Sequence, residues 1–248
     1  MNSEAEEVAG LLRRGSGRVV AFTGAGISAE VGVPAFRGKG GLWDKYDPEE
    51  LATPQAFRRN PELVWDWYRW RMSLIREVRP SLAHEVLARW EREGIVMGVV
   101  TQNVDGLHQE AGSVNVVELH GSIWRIRCTS CGLKIDLGFG NIPDKVPPIC
   151  SCNSLMRPDV VWFHEPLPPD AWSRAEGMMR EARVVLVIGT SGLVMPAASL
   201  PLISLKHGAT LVEINPEETN LSEFARFRMR RGASEALLSI DRYLGGTS

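Results

Sequence analysis

The stretch "VAFTGAGISAEVGVPAFRG", Val20–Gly38, decides how the rest of the chain is read. An apolar, β-branched run meets Gly24, Gly26 and Ala29, the G-x-G-x-x-G/A spacing that ends a buried strand in a tight turn and opens a helix. Such a turn lets backbone N–H groups approach a pyrophosphate at a helix start. The same spacing also serves a plain strand-to-helix turn with no ligand. Beyond the turn the chain departs from a dehydrogenase, because no strand ends in an acidic residue about 20 positions on, where the ribose would be held. It instead enters the loop Pro34-Ala35-Phe36-Arg37-Gly38. Hydride transfer loses ground accordingly.

Four more apolar runs, at 94–103, 115–121, 183–191 and 209–216, join the first at 18–24. They are continuous rather than alternating, as in strands covered on both faces. Helical patterns at 81–93 ("SLAHEVLARWERE") and 169–182 ("PDAWSRAEGMMREA") separate several of them. This is the rhythm of βαβ units around a parallel sheet, so the fold class is α/β. The strands end in polar or glycine-containing groups: Thr23-Gly24, Thr101-Gln102-Asn103, His120-Gly121, Gly189-Thr190-Ser191 and Glu213-Ile214-Asn215. A ligand crevice is expected at those ends.

The 248 residues are 44% hydrophobic and 23% charged, enough for a sizeable core, with a net charge of −2. That balance offers no broad basic surface for nucleic acid or membrane. No apolar run approaches the ~20 residues of a membrane span. The start, "MNSEAEEVAGLLRRG", is acidic and helical rather than a basic leader, and a cytoplasmic location is expected.

Two stretches break the rhythm, 38–79 with a long helix and 125–157 with all four cysteines. They are expected to form one small lobe beside a large domain made of 1–37, 80–124 and 158–248. Cys128-x2-Cys131 and Cys150-x-Cys152 suit four thiolates around one structural zinc, with a redox or disulfide pair as the alternative.

"GAGIS", "VPAFRG", "TQNVDGLHQEAG", "ELHGS", the cysteine pairs, "RPDVVWFHE", "IGTS" and "INPEE", in this order, resemble the sirtuin family of NAD-dependent protein-lysine deacylases. The resemblance implies a Rossmann-type large domain, a small zinc-bearing lobe, and a cleft that takes NAD and the acyl-lysine of another protein. It implies that Gly24, Ala25, Gly26 and Ser28 cradle phosphates while Phe36 and Arg37 close on the nicotinamide ribose. Ile27 and Asp105 would bind the carboxamide, Gln102 would touch the ribose, and Asn103 would orient it with a water. Gly189, Thr190 and Ser191 would contact phosphate or the adenine-side ribose, with Asn215 and Glu217 on the adenosine and Ser234 at the adenine edge. His120 combines a strand-end position with a reference pKa near neutrality, and so is the general base of choice. The Val161 carbonyl would accept from the acyl-lysine nitrogen, and Phe163 would line the lysine tunnel. NAD would be consumed, giving nicotinamide, free lysine and O-acyl-ADP-ribose. Mono-ADP-ribosylation of a protein acceptor, using the same cleft, is the alternative reaction, and a non-catalytic zinc module is a second alternative.

The chain departs from the family at His164, where glycine is usual, and in the single residue between Cys150 and Cys152. The first bears on peptide register or substrate choice, and the second asks for a tighter knuckle. His84 and His108 are expected to be structural, and His207 has no role.

In "ELVWDWYRWRMSLIREV", Val64, Trp67, Tyr68, Arg71, Leu74, Ile75 and Val78 share an arc of about 120°. An arginine on that apolar face is expected either to snorkel, to pair with an internal carboxylate, or to bind an anionic ligand with its fork of donors. "Y-x-x-R" here resembles the sirtuin branch that removes succinyl and malonyl groups, which implies that Tyr68 and Arg71 bind the distal carboxylate of an acidic acyl-lysine.

Overall fold

The computed structural model describes residues 3–36 and 41–245. Helix α1 (Glu4–Arg14) starts under the cap of the Ser3 hydroxyl, which accepts from the Glu6 N–H. β1 (Val19–Thr23) is buried throughout and turns into the single-turn helix α2 (Gly26–Ala29). The first excursion holds α3 (Pro48–Leu51), α4 (Pro54–Arg59) and α5 (Pro61–Arg76). Each opens with proline, whose missing N–H is needed by no partner there, and the preceding Asp47, Thr53 and Asn60 cap the orphaned donors. α6 (Leu82–Arg92) leads to β2 (Val96–Thr101), α7 (Leu107–Glu110) and β3 (Val116–Glu118). The second excursion is β4 (Gly121–Cys128), β5 (Lys134–Asp136) and β6 (Met156–Val160). The chain returns through α8 (Pro169–Glu181), β7 (Val184–Ile188), α9 (Leu200–Lys206), β8 (Thr210–Ile214), β9 (Phe227–Met229) and α10 (Ala233–Leu244).

The large sheet has the order β3-β2-β1-β7-β8-β9 and every pairing is parallel, a Rossmann-type arrangement. Alternate residues of β1 feed two cores. Val19 and Ala21 pack with α1, α6 and α10, and Val20 and Phe22 with α8 and α9. The sheet changes direction between β1 and β7, so the crevice expected of this topology opens at their carboxyl ends. β9 was not foreseen, being only three residues long. The strand expected over 115–121 ends at Glu118, and Gly121, at φ +78, turns the chain into the next sheet.

β5-β4-β6 form an antiparallel sheet, which therefore spans the expected divisions at 125 and 158. It packs with α3, α4 and α5 into one core around Trp65, Met72, Ile123 and Met156. Trp65 and Met72 are fully buried although they lie outside the apolar arc expected for α5, while Leu74 and Val78 are only half-buried. No described helix is long and apolar enough to cross a membrane.

At the switch point the Gly24 N–H donates to the Ile188 carbonyl at 3.0 Å and the Gly26 N–H to the Gly189 carbonyl at 2.8 Å. A Cβ on Gly26 would stand 2.6 Å from the Gly189 Cα, and Gly189 itself is left-handed at φ +60. Gly26→Ala is expected to destabilise the fold by about 1–3 kcal/mol, the range for overpacking a close contact. Urea unfolding reads this directly, and a wild-type midpoint would show that the two turns can separate without loss.

Candidate functional site

A cavity of about 940 Å³ occupies the crevice and runs from the glycine turn to the small lobe. The carboxyl end of β2 provides its inner wall. Asn103 Nδ2 donates to the Gly24 carbonyl at 3.1 Å and to Ser28 Oγ at 3.2 Å, and Ser28 Oγ donates to Asp105 Oδ2 at 2.8 Å. The Leu107 N–H holds the other Asp105 oxygen at 3.0 Å. Burial raises the Asp105 carboxyl above its ordinary value, opposed by these hydrogen bonds and by the charge of Arg71. On the far side Gln102 Nε2 donates to Thr190 Oγ1 at 2.8 Å and Asn215 Nδ2 to the Thr190 carbonyl at 3.1 Å, tying the ends of β2, β7 and β8 together.

His120 follows β3. Its Nδ1 lies 2.9 Å from the Gln102 carbonyl, which can only accept, so Nδ1 carries the proton and Nε2 keeps its lone pair. Burial pulls the His120 pKa below the ordinary 6.5, and the bond to Gln102 acts the other way. The imidazole is therefore a neutral acceptor at neutral pH.

Of the residues expected at the cofactor, Gly24, Ala25, Gly26, Phe36, Gln102, Asn103, His120, Gly189, Thr190, Ser191, Asn215 and Glu217 line this cavity. Ile27, Ser28 and Asp105 stand behind its wall, so Ser28, expected to cradle phosphate, has its hydroxyl engaged between Asn103 and Asp105. Ser234 is also engaged. Its N–H and hydroxyl hold the Glu30 carboxylate at the start of α10, and its hydroxyl accepts from the Ala83 N–H. Arg37 lies outside the described residues.

The small lobe closes the other end with Tyr68, Arg71, Val161 and Phe163. The Val161 N–H donates to the His120 carbonyl and the Phe163 N–H to the Ala52 carbonyl, both at 2.9 Å. None of the described residues donates to the Val161 carbonyl. Arg71 is 5% exposed, with its guanidinium 4.4 Å from the Phe36 ring centre and 5.0 Å from that of Trp67. Among the described residues no carboxylate lies within ion-pairing distance of it. Burial draws its pKa down, while Tyr68 and Asp105 oppose the shift. Trp43 also belongs to this wall, stacking on Trp67 at 5.7 Å and meeting Phe163 at 6.0 Å. Nothing in the sequence singles it out, because its neighbours, "GGLWDK", carry no periodic signal.

His164 has φ +68, the conformation that glycine adopts without strain, and its exposed Nε2 reaches Glu49 Oε1 at 3.1 Å. His84 and His108 are buried and face each other at 4.6 Å. His108 Nε2 bonds Thr23 Oγ1 at 2.9 Å, and burial takes His84 to about 4. His207 Nδ1 bonds the Ile203 carbonyl at the end of α9.

The sulfurs of Cys128, Cys131, Cys150 and Cys152 all lie within 4.8 Å of one another, with Cys128 to Cys152 at 3.5 Å and Cys131 to Cys150 at 3.7 Å. Four thiolates at the usual zinc distance stand roughly 3.8 Å apart, so the donor set fits zinc. The N–H groups of Ser130 and Cys131 point at Cys128 Sγ, both at 3.4 Å. Asn153, at φ +61, closes the tighter second knuckle that a single intervening residue requires.

Residues 24–196 match the model of the Sir2 family. An NAD-dependent protein deacylase of Aquifex aeolicus (strain VF5) is 51% identical over 227 residues, which cover 91% of this chain and 95% of its own. A Sir2 homolog solved in complex with NAD superposes with a TM-score of 0.89 at 47% identity, covering 97% of this chain and 93% of that one. Sir2 solved with a p53 peptide and NAD+ does so with a TM-score of 0.84 at 35% identity, covering 96% and 98%.

Elemental analysis of the purified protein should find one zinc per chain. Cys131→Ser should release it and expose the β4–β6 lobe to limited proteolysis. A fully active protein free of metal would overturn the zinc assignment.

Proposed function

The chain belongs to the Sir2 family, and we propose that it is an NAD-dependent protein-lysine deacylase that favours acyl chains ending in a carboxylate. The deacylase activity follows from relatives about half identical over nearly the whole chain. The observation that carries the acyl preference is the Arg71 guanidinium, buried at the small-lobe end of the cavity without a carboxylate partner among the described residues. A buried cation is tolerated when an anion or aromatic faces surround it. Phe36 and Trp67 supply the faces here, and an acidic acyl group supplies the anion.

Bound NAD supplies the ribose carbon that nicotinamide leaves and the ribose hydroxyl that takes up the acyl group. The backbone of Gly24, Ala25 and Gly26 would approach the phosphates, since this turn lines the cavity and two of its three residues have no side chain. Gln102 and Asn103 hold the ribose from the end of β2, with Asn103 fixed in turn by Gly24 and Ser28. Ile27 and Asp105 support the carboxamide end. Gly189, Thr190, Ser191, Asn215 and Glu217 form the adenosine side. His120 takes the hydroxyl proton at Nε2, because Nδ1–H is engaged by the Gln102 carbonyl. The extended substrate chain adds beside Val161 and Phe163, with the Val161 carbonyl accepting from the acyl-lysine N–H.

Two measurements test this reading. The base acts unprotonated, so activity is lost as pH falls through its pKa, and that value is lowered from 6.5. The acid limb of kcat/KM should therefore lie below pH 6.5, and His120→Ala should remove roughly 10²–10⁴-fold of the rate. An acid limb above 6.5, or near-normal turnover by the variant, contradicts the assignment.

Arg71→Met should lower kcat/KM on a succinyl-lysine peptide by about 10- to 100-fold, the loss of a charged hydrogen bond, and act far less on the acetyl peptide. Equal losses on both would leave a deacylase without the acidic preference.

A further inference from the structure

The Tyr68 hydroxyl has one proton to donate, and the wall around it leaves that proton unspent. Trp162 Nε1 lies 2.9 Å from Tyr68 Oη. An indole nitrogen only donates, so the phenol oxygen is the acceptor in this bond. Arg71, whose charge acts on the phenol, also has donors alone; Arg157 and Glu165 act on it too, but none of the described residues accepts a hydrogen bond from the phenol. Two donors, the phenol and the guanidinium, therefore open side by side into the cavity. Burial raises the Tyr68 pKa, which keeps the phenol protonated through the neutral range. Without the indole N–H the phenol oxygen would be free to accept from Arg71, and one donor would then satisfy another instead of facing a ligand.

Trp162 is held for this task more firmly than a lining residue needs. It is 3% exposed, and the Arg157 guanidinium lies over its ring at 3.2 Å while Phe57 packs at 5.3 Å. Arg157 grips Glu165 through two bonds of 2.6 and 2.9 Å and reaches the Val160 carbonyl at 2.9 Å. Glu165 Oε2 accepts from the Trp162 N–H at 2.9 Å. Burial would raise the Glu165 carboxyl, but the pairing with Arg157 and the bond from Trp162 bring it below the ordinary range, so the clamp stays charged near neutrality. The loop 160–165 is wound around this ion pair, and its indole reaches across to Tyr68 on α5.

We propose that Trp162, locked by the Arg157–Glu165 pair, is a positioning residue for acyl selectivity: its N–H occupies the phenol oxygen of Tyr68 and so turns the phenol proton toward a carboxylate-ended acyl chain. The inference rests on the acidic-acyl reading of Arg71 and names the element that sets the second donor.

Trp162→Phe keeps an aromatic ring and removes the donor. With succinyl and acetyl versions of one peptide, the succinyl-to-acetyl ratio of kcat/KM should fall about 3- to 10-fold, through KM rather than kcat, the scale of one neutral hydrogen bond. Tyr68→Phe should lower the same ratio, and the double variant should fall no further than Tyr68→Phe alone, because the two act through one bond. If Trp162→Phe does not fold, 3-benzothienylalanine at position 162 retains the bicyclic shape with sulfur in place of N–H, and the same ratio is read. An unchanged ratio, equal losses on both peptides, or additive losses in the double variant would overturn the positioning role. Arg71→Met serves as the control: if it leaves the ratio unchanged, the acidic-acyl reading itself fails, whereas a lowered ratio there beside an unchanged one for position 162 removes Trp162 alone.

Discussion

Two glycine turns meet at the centre of the large sheet, and the geometry of the cleft depends on how closely they do so. Gly24 and Gly26 leave β1 while Gly189 leaves β7, and their backbones approach until a single added carbon would overlap. This closeness has two effects. It bares the backbone of residues 24–26 to the cavity, and it leaves the Gly24 carbonyl where the Asn103 amide can reach it from the end of β2. Thr190, next along the second turn, then gathers Gln102 from the end of β2, one strand beyond β1, and Asn215 from the end of the adjacent β8. Four strand ends are held by hydrogen bonds that start from one backbone contact, and His120 is oriented by the Gln102 carbonyl in the same set.

The small lobe solves a different problem, because its two excursions are too short to bury a core separately. The helices of the first and the sheet of the second share one core, and the zinc-fitting cysteines close its far end. Pooling them brings α5 against the 160–165 loop, which no contact within either excursion would do. The lobe also buries charge in two ways. Arg157 lies opposite Glu165 and gives it two hydrogen bonds, with a third to the Val160 carbonyl, which offsets part of the cost of removing both ions from water although the buried Nε–H has no partner among the described residues. Arg71 is shielded only by aromatic faces, and its remaining donors open toward the cavity. A closed pair suits structure and an open cation suits a ligand, and the Trp162 indole connects the two.

The Sir2 membership and the parallel sheet were legible because their signals are local. Apolar strands ending in polar groups, the glycine spacing, and cysteine pairs with two residues and one residue between them each carry their physics within a few positions. The inward face of Arg71 was legible for the same reason, since helical periodicity puts it beside Tyr68. Signals that were short, or that depended on a distant partner, stayed hidden. β9 is three residues long, and the limits of the second sheet depend on pairing between β4 and β6 across nearly thirty residues of chain.

The sequence by itself determined the chemistry on offer around the cleft, though not every residue that lines it: side-chain chemistry and local period are properties of neighbouring residues, whereas Trp43 reaches the wall and Ile27, Ser28 and Asp105 stand behind it. Only the tertiary structure decided which of those groups are still free to act. Ser28 and Ser234 carry the hydroxyls that their motifs suggested, yet Asp105 and Glu30, distant in sequence, already accept from them. Trp162 lies in a motif whose expected roles fell on Val161 and Phe163, and folding made it the donor that directs Tyr68. Hydrogen-bonding capacity is written in the residue type, but whether it is spent depends on what the fold brings within about 3 Å, and that is set by long-range packing.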